Sequence, residues 1–175
     1  MIGLDWLSTK YSICLKDNRR NFMKKVYSKD DYDSYNAAML EKFPLMFTGR
    51  WGGFDIGPGW WPIIESLCRN IQGHIDNRER TREVLLKNNP HNFSIPDAVP
   101  QVVVVQIKEK FGGLRFYYNG GDDTISGMVR IAETWAGNTC ETCGHPGEIR
   151  MGRWIRTLCD VHAAEHLEKS NATTV

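Results

Sequence analysis

The side chains best placed to do chemistry sit near the end of the chain. Residues 140–144, CETCG, and 159–162, CDVH, supply two pairs of metal-ligand residues, Cys140/Cys143 and Cys159/His162. Two ligands with two residues between them reach one ion from a tight backbone knuckle, and Gly144 permits the positive φ such a knuckle often needs. Pro146, Gly147 and Gly152 supply turns around 148–151 and 153–158, which predicts a short β-hairpin between the two pairs. The following DVHAAEHLEK reads as a helix, which sets Cys159 and His162 one turn apart on one face. Knuckle, hairpin and a helix start carrying the second pair is the order of a treble-clef zinc finger. Three thiolates and one imidazole suit tetrahedral Zn²⁺, and four protein ligands fill its shell, so the expected ion is structural rather than catalytic. His166 is an alternative fourth ligand, and His145 beside the knuckle is expected in the turn or as a hydrogen-bond donor behind the ligands. Cys14 and Cys68 lie alone in apolar surroundings. Five cysteines, three of them clustered, fit metal ligands plus two buried thiols better than a disulfide framework.

A second set of candidate residues lies in 101–119, QVVVVQIKEKFGGLRFYYN. Four consecutive β-branched Val, and Gly112-Gly113 between two β-prone runs, predict a hairpin. With those glycines as the loop, Lys110 pairs with Arg115 and Lys108 with Tyr117. Val103, Val105, Ile107, Phe111, Leu114, Phe116 and Tyr118 then face the core, and Gln106, Lys108, Lys110, Arg115, Tyr117 and Asn119 face out. Like charges directly opposite one another are unfavourable unless an acid or anion sits beside them. Lys108, Lys110 and Arg115 around the Tyr117 ring suit a phosphate, a nucleotide or a single-stranded nucleic acid. The plainer alternative is a solvated strand face neutralised by Glu109 or a neighbouring acid.

The third set is a Gly- and Trp-rich stretch, 48–61, TGRWGGFDIGPGWW. Arg50, Trp51 and Trp60, with Phe54 and Trp61, would anchor a partner or a planar ligand if exposed, or roof the core if buried. No phosphate-cradling Gly-rich loop with Lys-Ser/Thr, no GxSxG, no HExxH and no dinucleotide fingerprint is present. A treble clef is also the platform of some nucleases, but those need a His general base on the hairpin and a site for Mg²⁺. Here the hairpin offers only His145, so catalysis is not expected.

The elements that must position these residues follow from spacing and punctuation. The spacing of Tyr32, Tyr35, Met39 and Phe43 predicts a helix over 31–43, ended by Pro44. Pro62 suits a helix start, and Ile63, Ile64, Leu67, Cys68 and Ile71 make its apolar face, with Gly73 expected to interrupt it. Residues 76–87 are mostly charged and read as a solvated helical face, and 88–100, with three prolines, as a loop. Asp122 or Asp123 can cap a helix with Ile125, Met128, Ala132 and Trp135 on its apolar face, stopped at Gly137-Asn138. The 175 residues are 41% hydrophobic and 25% charged with a formal net charge of +1, which excludes a wholly disordered chain and argues against a general nucleic-acid coat. No apolar run has signal-peptide or membrane-spanning length, so a soluble, cytoplasmic protein is expected.

KEKFGGLRFYY (108–118), CETCGHPGEIR (140–150) and WIRTLCDVH (154–162) together resemble a set of small proteins encoded by bacteriophages and bacteria, with a looser likeness in GWWPIIESLC (59–68). The resemblance covers roughly residues 100 to 165 and implies a phage-type origin and a zinc cluster. The expected fold is α+β: helices packed on a small antiparallel sheet, with a C-terminal treble-clef-type zinc finger. Residues 1–137 would form the core, 138–167 the zinc module packed on it, and 168–175 a frayed tail. By analogy with other short phage accessory proteins, the expected function is non-enzymatic binding of a host defence or regulatory factor in the host cytoplasm. Alternatives are sequestration of a small anionic nucleotide signal, nucleic-acid binding and metal-dependent nuclease action.

Overall fold

The computed structural model describes residues 27–49, 52–88, 94–152 and 154–172; Cys14, Arg50 and Trp51 lie outside them. The first described helix, α1 (Lys29–Lys42), is opened by a capping box: Ser28 Oγ accepts from the Asp31 amide, and the Asp31 carboxylate accepts from the Ser28 amide at 2.7 Å. Its Met39, with Phe43 just beyond its end, reaches the core, as the helical spacing predicts.

After a two-residue strand, β1 (Phe54–Asp55), and a 3₁₀ turn at Pro58–Trp60, the chain enters α2 (Trp61–Asn88). This helix is unbroken over 28 residues, or ~42 Å at 1.5 Å per residue. Gly73 does not interrupt it. A lone glycine lowers helix propensity without removing a backbone hydrogen bond, and six buried residues from Ile63 to Ile75 supply the packing that outweighs the loss. Beyond Ile75 the helix has no buried residue and runs on as a charged, solvated rod, tethered by the Arg82 guanidinium donating to the Pro96 carbonyl.

The hairpin is β2 (Val103–Lys110) and β3 (Gly113–Asn119), but its register differs from the expectation. Lys110 pairs with Gly113, Lys108 with Arg115 and Ile107 with Phe116, so the two-residue turn is Phe111-Gly112. Both turn residues have positive φ, 53° and 75°, which is the type I′ geometry that matches strand twist. An irregularity between Val104 and Gln106 then leaves Val105 unpaired. That bulge switches the in–out alternation, so Val102, Val104 and Ile107 are buried while Val105 and Phe111 are exposed. The sheet is mixed rather than antiparallel, because β1 pairs in parallel with β2, Phe54 beside Ile107 and Asp55 beside Lys108.

Helix α3 (Asp123–Ala136) is capped by Asp122, whose carboxylate accepts from the Ile125 amide at 3.0 Å and meets His74 Nε2 of α2 at 2.8 Å. It buries Ile125, Val129, Ala132 and Ala136, and Trp135 is exposed instead of packed. The Glu133 carboxylate accepts from the Phe116 amide and so covers part of the β3 edge. A small two-stranded sheet follows, β4 (Glu148–Arg150) antiparallel to β5 (Arg156–Leu158), and then α4 (Asp160–Ala172). Helix α4 runs on through Ala172. Among the described residues no helix is long and apolar enough to cross a membrane.

Candidate metal centre

The knuckle is built by short backbone bonds. The Cys140 amide donates to the His145 carbonyl at 2.7 Å, and the Gly144 amide to the Cys140 carbonyl at 2.8 Å. Gly144 takes φ 76°, the left-handed turn that lets Cys140 and Cys143 point the same way. Strand β5 delivers Cys159 to the start of α4, and His162 follows on the first turn of that helix. Leu158 and Ala163 join the three sulfurs in a small apolar cluster separate from the main core.

The four ligand atoms lie within 4.8 Å of one another. Cys143 Sγ is 3.8 Å from Cys159 Sγ, and His162 Nδ1 is 3.6 Å from Cys140 Sγ and 3.3 Å from Cys159 Sγ. A tetrahedral ion with bonds of ~2.3 Å to sulfur and ~2.0–2.1 Å to nitrogen sets its ligand atoms ~3.8 Å apart for sulfur to sulfur and ~3.6 Å for sulfur to nitrogen. The 3.8 and 3.6 Å separations agree with edges of that tetrahedron and the 3.3 Å one is about 0.3 Å short, so the cluster is compatible with a metal site such as zinc, and His162 rather than His166 is the fourth member.

Electrostatics points the same way. Burial opposes ionisation of Cys140, but amides around its sulfur, from Cys159, Cys143 and Thr142, outweigh it and hold the thiol below its ordinary value. Burial pushes Cys143 up to about 12, and the neighbouring sulfurs of Cys140 and Cys159 add to the rise. Ionisation is thus favoured at Cys140 and opposed at Cys143, and a dication beside the sulfurs would offset that opposition.

The knuckle is seated on the main core by the Gly- and Trp-rich stretch. The Trp60 ring is fully buried, and its Nε1 donates to the Thr139 carbonyl at 2.8 Å. This corrects the reading of Trp60 as a ligand contact: it is a core residue that holds the segment leading into the Cys/His cluster. The Gly59 amide donates to the Glu141 carbonyl at 2.7 Å. A Cβ at Gly59 would overlap the Cys140 carbonyl and lie 2.5 Å from the Gly144 nitrogen, so only glycine permits this approach. The Glu141 side chain, 5% exposed, accepts from the Gly57 amide through Oε1 and from Arg156 Nε and Nη2 through Oε2. Burial lifts its carboxyl above the ordinary value, and the Arg156 guanidinium opposes the lift. Thr157 Oγ1, also buried, donates to the Gly112 carbonyl at 2.6 Å and fixes the β2–β3 turn to β5. Sequence reasoning missed Glu141, Arg156 and Thr157, and no local pattern marks them, because their partners lie far away along the chain.

Lys108, Lys110, Arg115 and Tyr117 share the outer face of the sheet, as expected. Lys108 stands directly opposite Arg115, and its Nζ lies 5.5 Å from the Tyr117 ring centre. A cavity of about 340 Å³ opens nearby between Tyr32, Glu109, Glu141, Trp154 and Arg156, and another of about 510 Å³ lies along Ile131 and Trp135; neither includes any of those four residues. Compared with protein-family models, curated proteins and solved structures, the chain matches none.

Proposed function

We propose that Cys140, Cys143, Cys159 and His162 hold one structural zinc ion in a treble-clef arrangement, and that the chain is a phage-type accessory protein acting by binding a host defence or regulatory factor rather than by catalysis. The observation that carries the metal reading is the set of separations among four buried ligand atoms, which fits one closed tetrahedral shell. A closed shell has no position for substrate or activated water, so the ion stabilises the fold and leaves function to surfaces. Among the described residues this is the one group of three or more such side chains that converges on a point. The phage-type reading rests on the resemblance of residues 108–118, 140–150 and 154–162.

Elemental analysis of the purified protein tests the metal. One zinc per chain is expected, with a large fall in melting temperature on strong chelation and in Cys143→Ser. Absence of zinc, or melting that ignores the chelator, overturns the reading. Binding is tested by size-exclusion of the tagged chain from a bacterial host, where one defined host protein should co-elute in fixed proportion. Repeated recovery of the chain alone counts against it.

A further inference from the structure

We infer that the outer face of β2 and β3, together with the turn residue Phe111, is a platform for single-stranded nucleic acid. It is a surface additional to the host-factor reading and does not depend on it.

Three observations converge on it. The first is an unusual residue in an unusual place. Among the described residues, Phe111 is the one non-glycine with positive φ. The position favours Asn, Asp or Gly, and a bulky side chain there is strained. Yet the ring is 71% exposed, so core packing does not account for it. Strain held by a large exposed ring points to a role for that ring.

The second is charge. Lys108, Lys110 and Arg115 lie on one face, and among the described residues no carboxylate oxygen comes within salt-bridge distance of them. Glu109 points to the other face, where it accepts from the Gly112 amide at 2.6 Å. Asp55, beside Lys108 in the parallel register, is the nearest offset along the ladder, and three cations against one acid leave the face positive.

The third is the pairing of rings with cations. Lys110 Nζ lies 5.7 Å from the Phe111 ring centre and Lys108 Nζ 5.5 Å from that of Tyr117, which is itself 42% exposed. Exposed rings beside ammonium groups on one face of a hairpin offer stacking to unpaired bases and neutralisation to the phosphates between them. Bases in a duplex are already stacked on each other and present no free face to such rings. The turn is also preorganised, clamped from both sides by Glu109 on the Gly112 amide and Thr157 on the Gly112 carbonyl.

The test titrates the zinc-loaded full chain into fluorescein-labelled oligothymidylate, oligouridylate and a DNA duplex, followed by anisotropy. Single strands should bind and the duplex should bind at least about tenfold more weakly. Three phosphate contacts give a slope of log affinity on log salt of about −2. Phe111→Asn supplies the residue the turn prefers, so its melting temperature should hold or rise while single-strand affinity falls about tenfold. Lys110→Glu with Arg115→Glu should abolish binding without altering zinc content. No single-strand binding at low salt, equal binding of duplex, or unchanged affinity in both variants overturns the proposal. Zinc stoichiometry and host-protein co-elution are read separately, so those results stand or fall on their own.

Discussion

Trp60 and Thr139, 79 positions apart in the chain, are joined by a single hydrogen bond of 2.8 Å from the indole nitrogen to the backbone carbonyl. Thr139 directly precedes Cys140, the first member of the Cys/His cluster, so this bond ties the start of α2 to the mouth of the candidate metal centre. A fully buried indole whose one polar atom is spent on a backbone oxygen contributes both ring packing and orientation of the knuckle.

Trp60→Phe keeps most of the ring and removes the donor. It leaves the Thr139 carbonyl buried without this partner, and it should cost about 1–3 kcal/mol in urea unfolding. Metal release to a colorimetric chelator should also be faster than in the parent protein. Unchanged stability and release would separate the indole from the metal site.

Two glycines with opposite surroundings make a paired prediction. Gly59→Ala drives a methyl into the Cys140 carbonyl and the Gly144 nitrogen, so it should displace the knuckle and yield protein that loses metal or fails to stay soluble. Gly73→Ala, in the middle of α2 with no atom within 4 Å of the new methyl, should stabilise by about 0.5–1 kcal/mol through helix propensity and reduced freedom of the unfolded chain. Thermal melts and zinc content of the two variants check both signs.

Arg156→Met strands the Glu141 carboxylate. Its Oε1 keeps the Gly57 amide, but Oε2 loses both guanidinium donors in a site only 5% exposed. The expected cost is about 3 kcal/mol, the low end for an unpaired buried charge because Arg156 itself is part-exposed. Adding Glu141→Gln removes the charge and should recover part of that loss, which chemical unfolding of the single and double variants measures.

The Cys/His cluster was legible because the geometry of each pair is local. Residues with two others between them, beside a glycine or on the first turn of a helix, carry their own placement. The basic strand face was legible for a related reason, since a strand alternates its faces: Arg115 and Tyr117 flank Phe116, and Lys108 and Lys110 lie two apart on the face opposite Ile107. Register was not. It hinged on Phe111 accepting positive φ, which residue preferences argue against, and on a bulge at Val105 that nothing in a run of four valines announces. The helix through Gly73 shows tertiary burial overriding a local break signal. The Gly- and Trp-rich stretch could be read only as surface or core. What decides it is contact with the knuckle about eighty residues later, and periodicity carries no information about such a distance.

The seating of the knuckle on Gly57, Gly59 and Trp60 bears on how the protein is made. The last member of the cluster, His162, is made well after the glycines on which the knuckle is seated, so the cluster can close only once that seat already exists. An excised C-terminal fragment would carry Glu141 and Thr157 without the amide and carbonyl that satisfy them in the intact chain. The Cys/His segment is therefore no portable module, and if it holds the proposed zinc, limiting metal should divide a preparation into two sharply separated populations instead of a graded series of loosened forms.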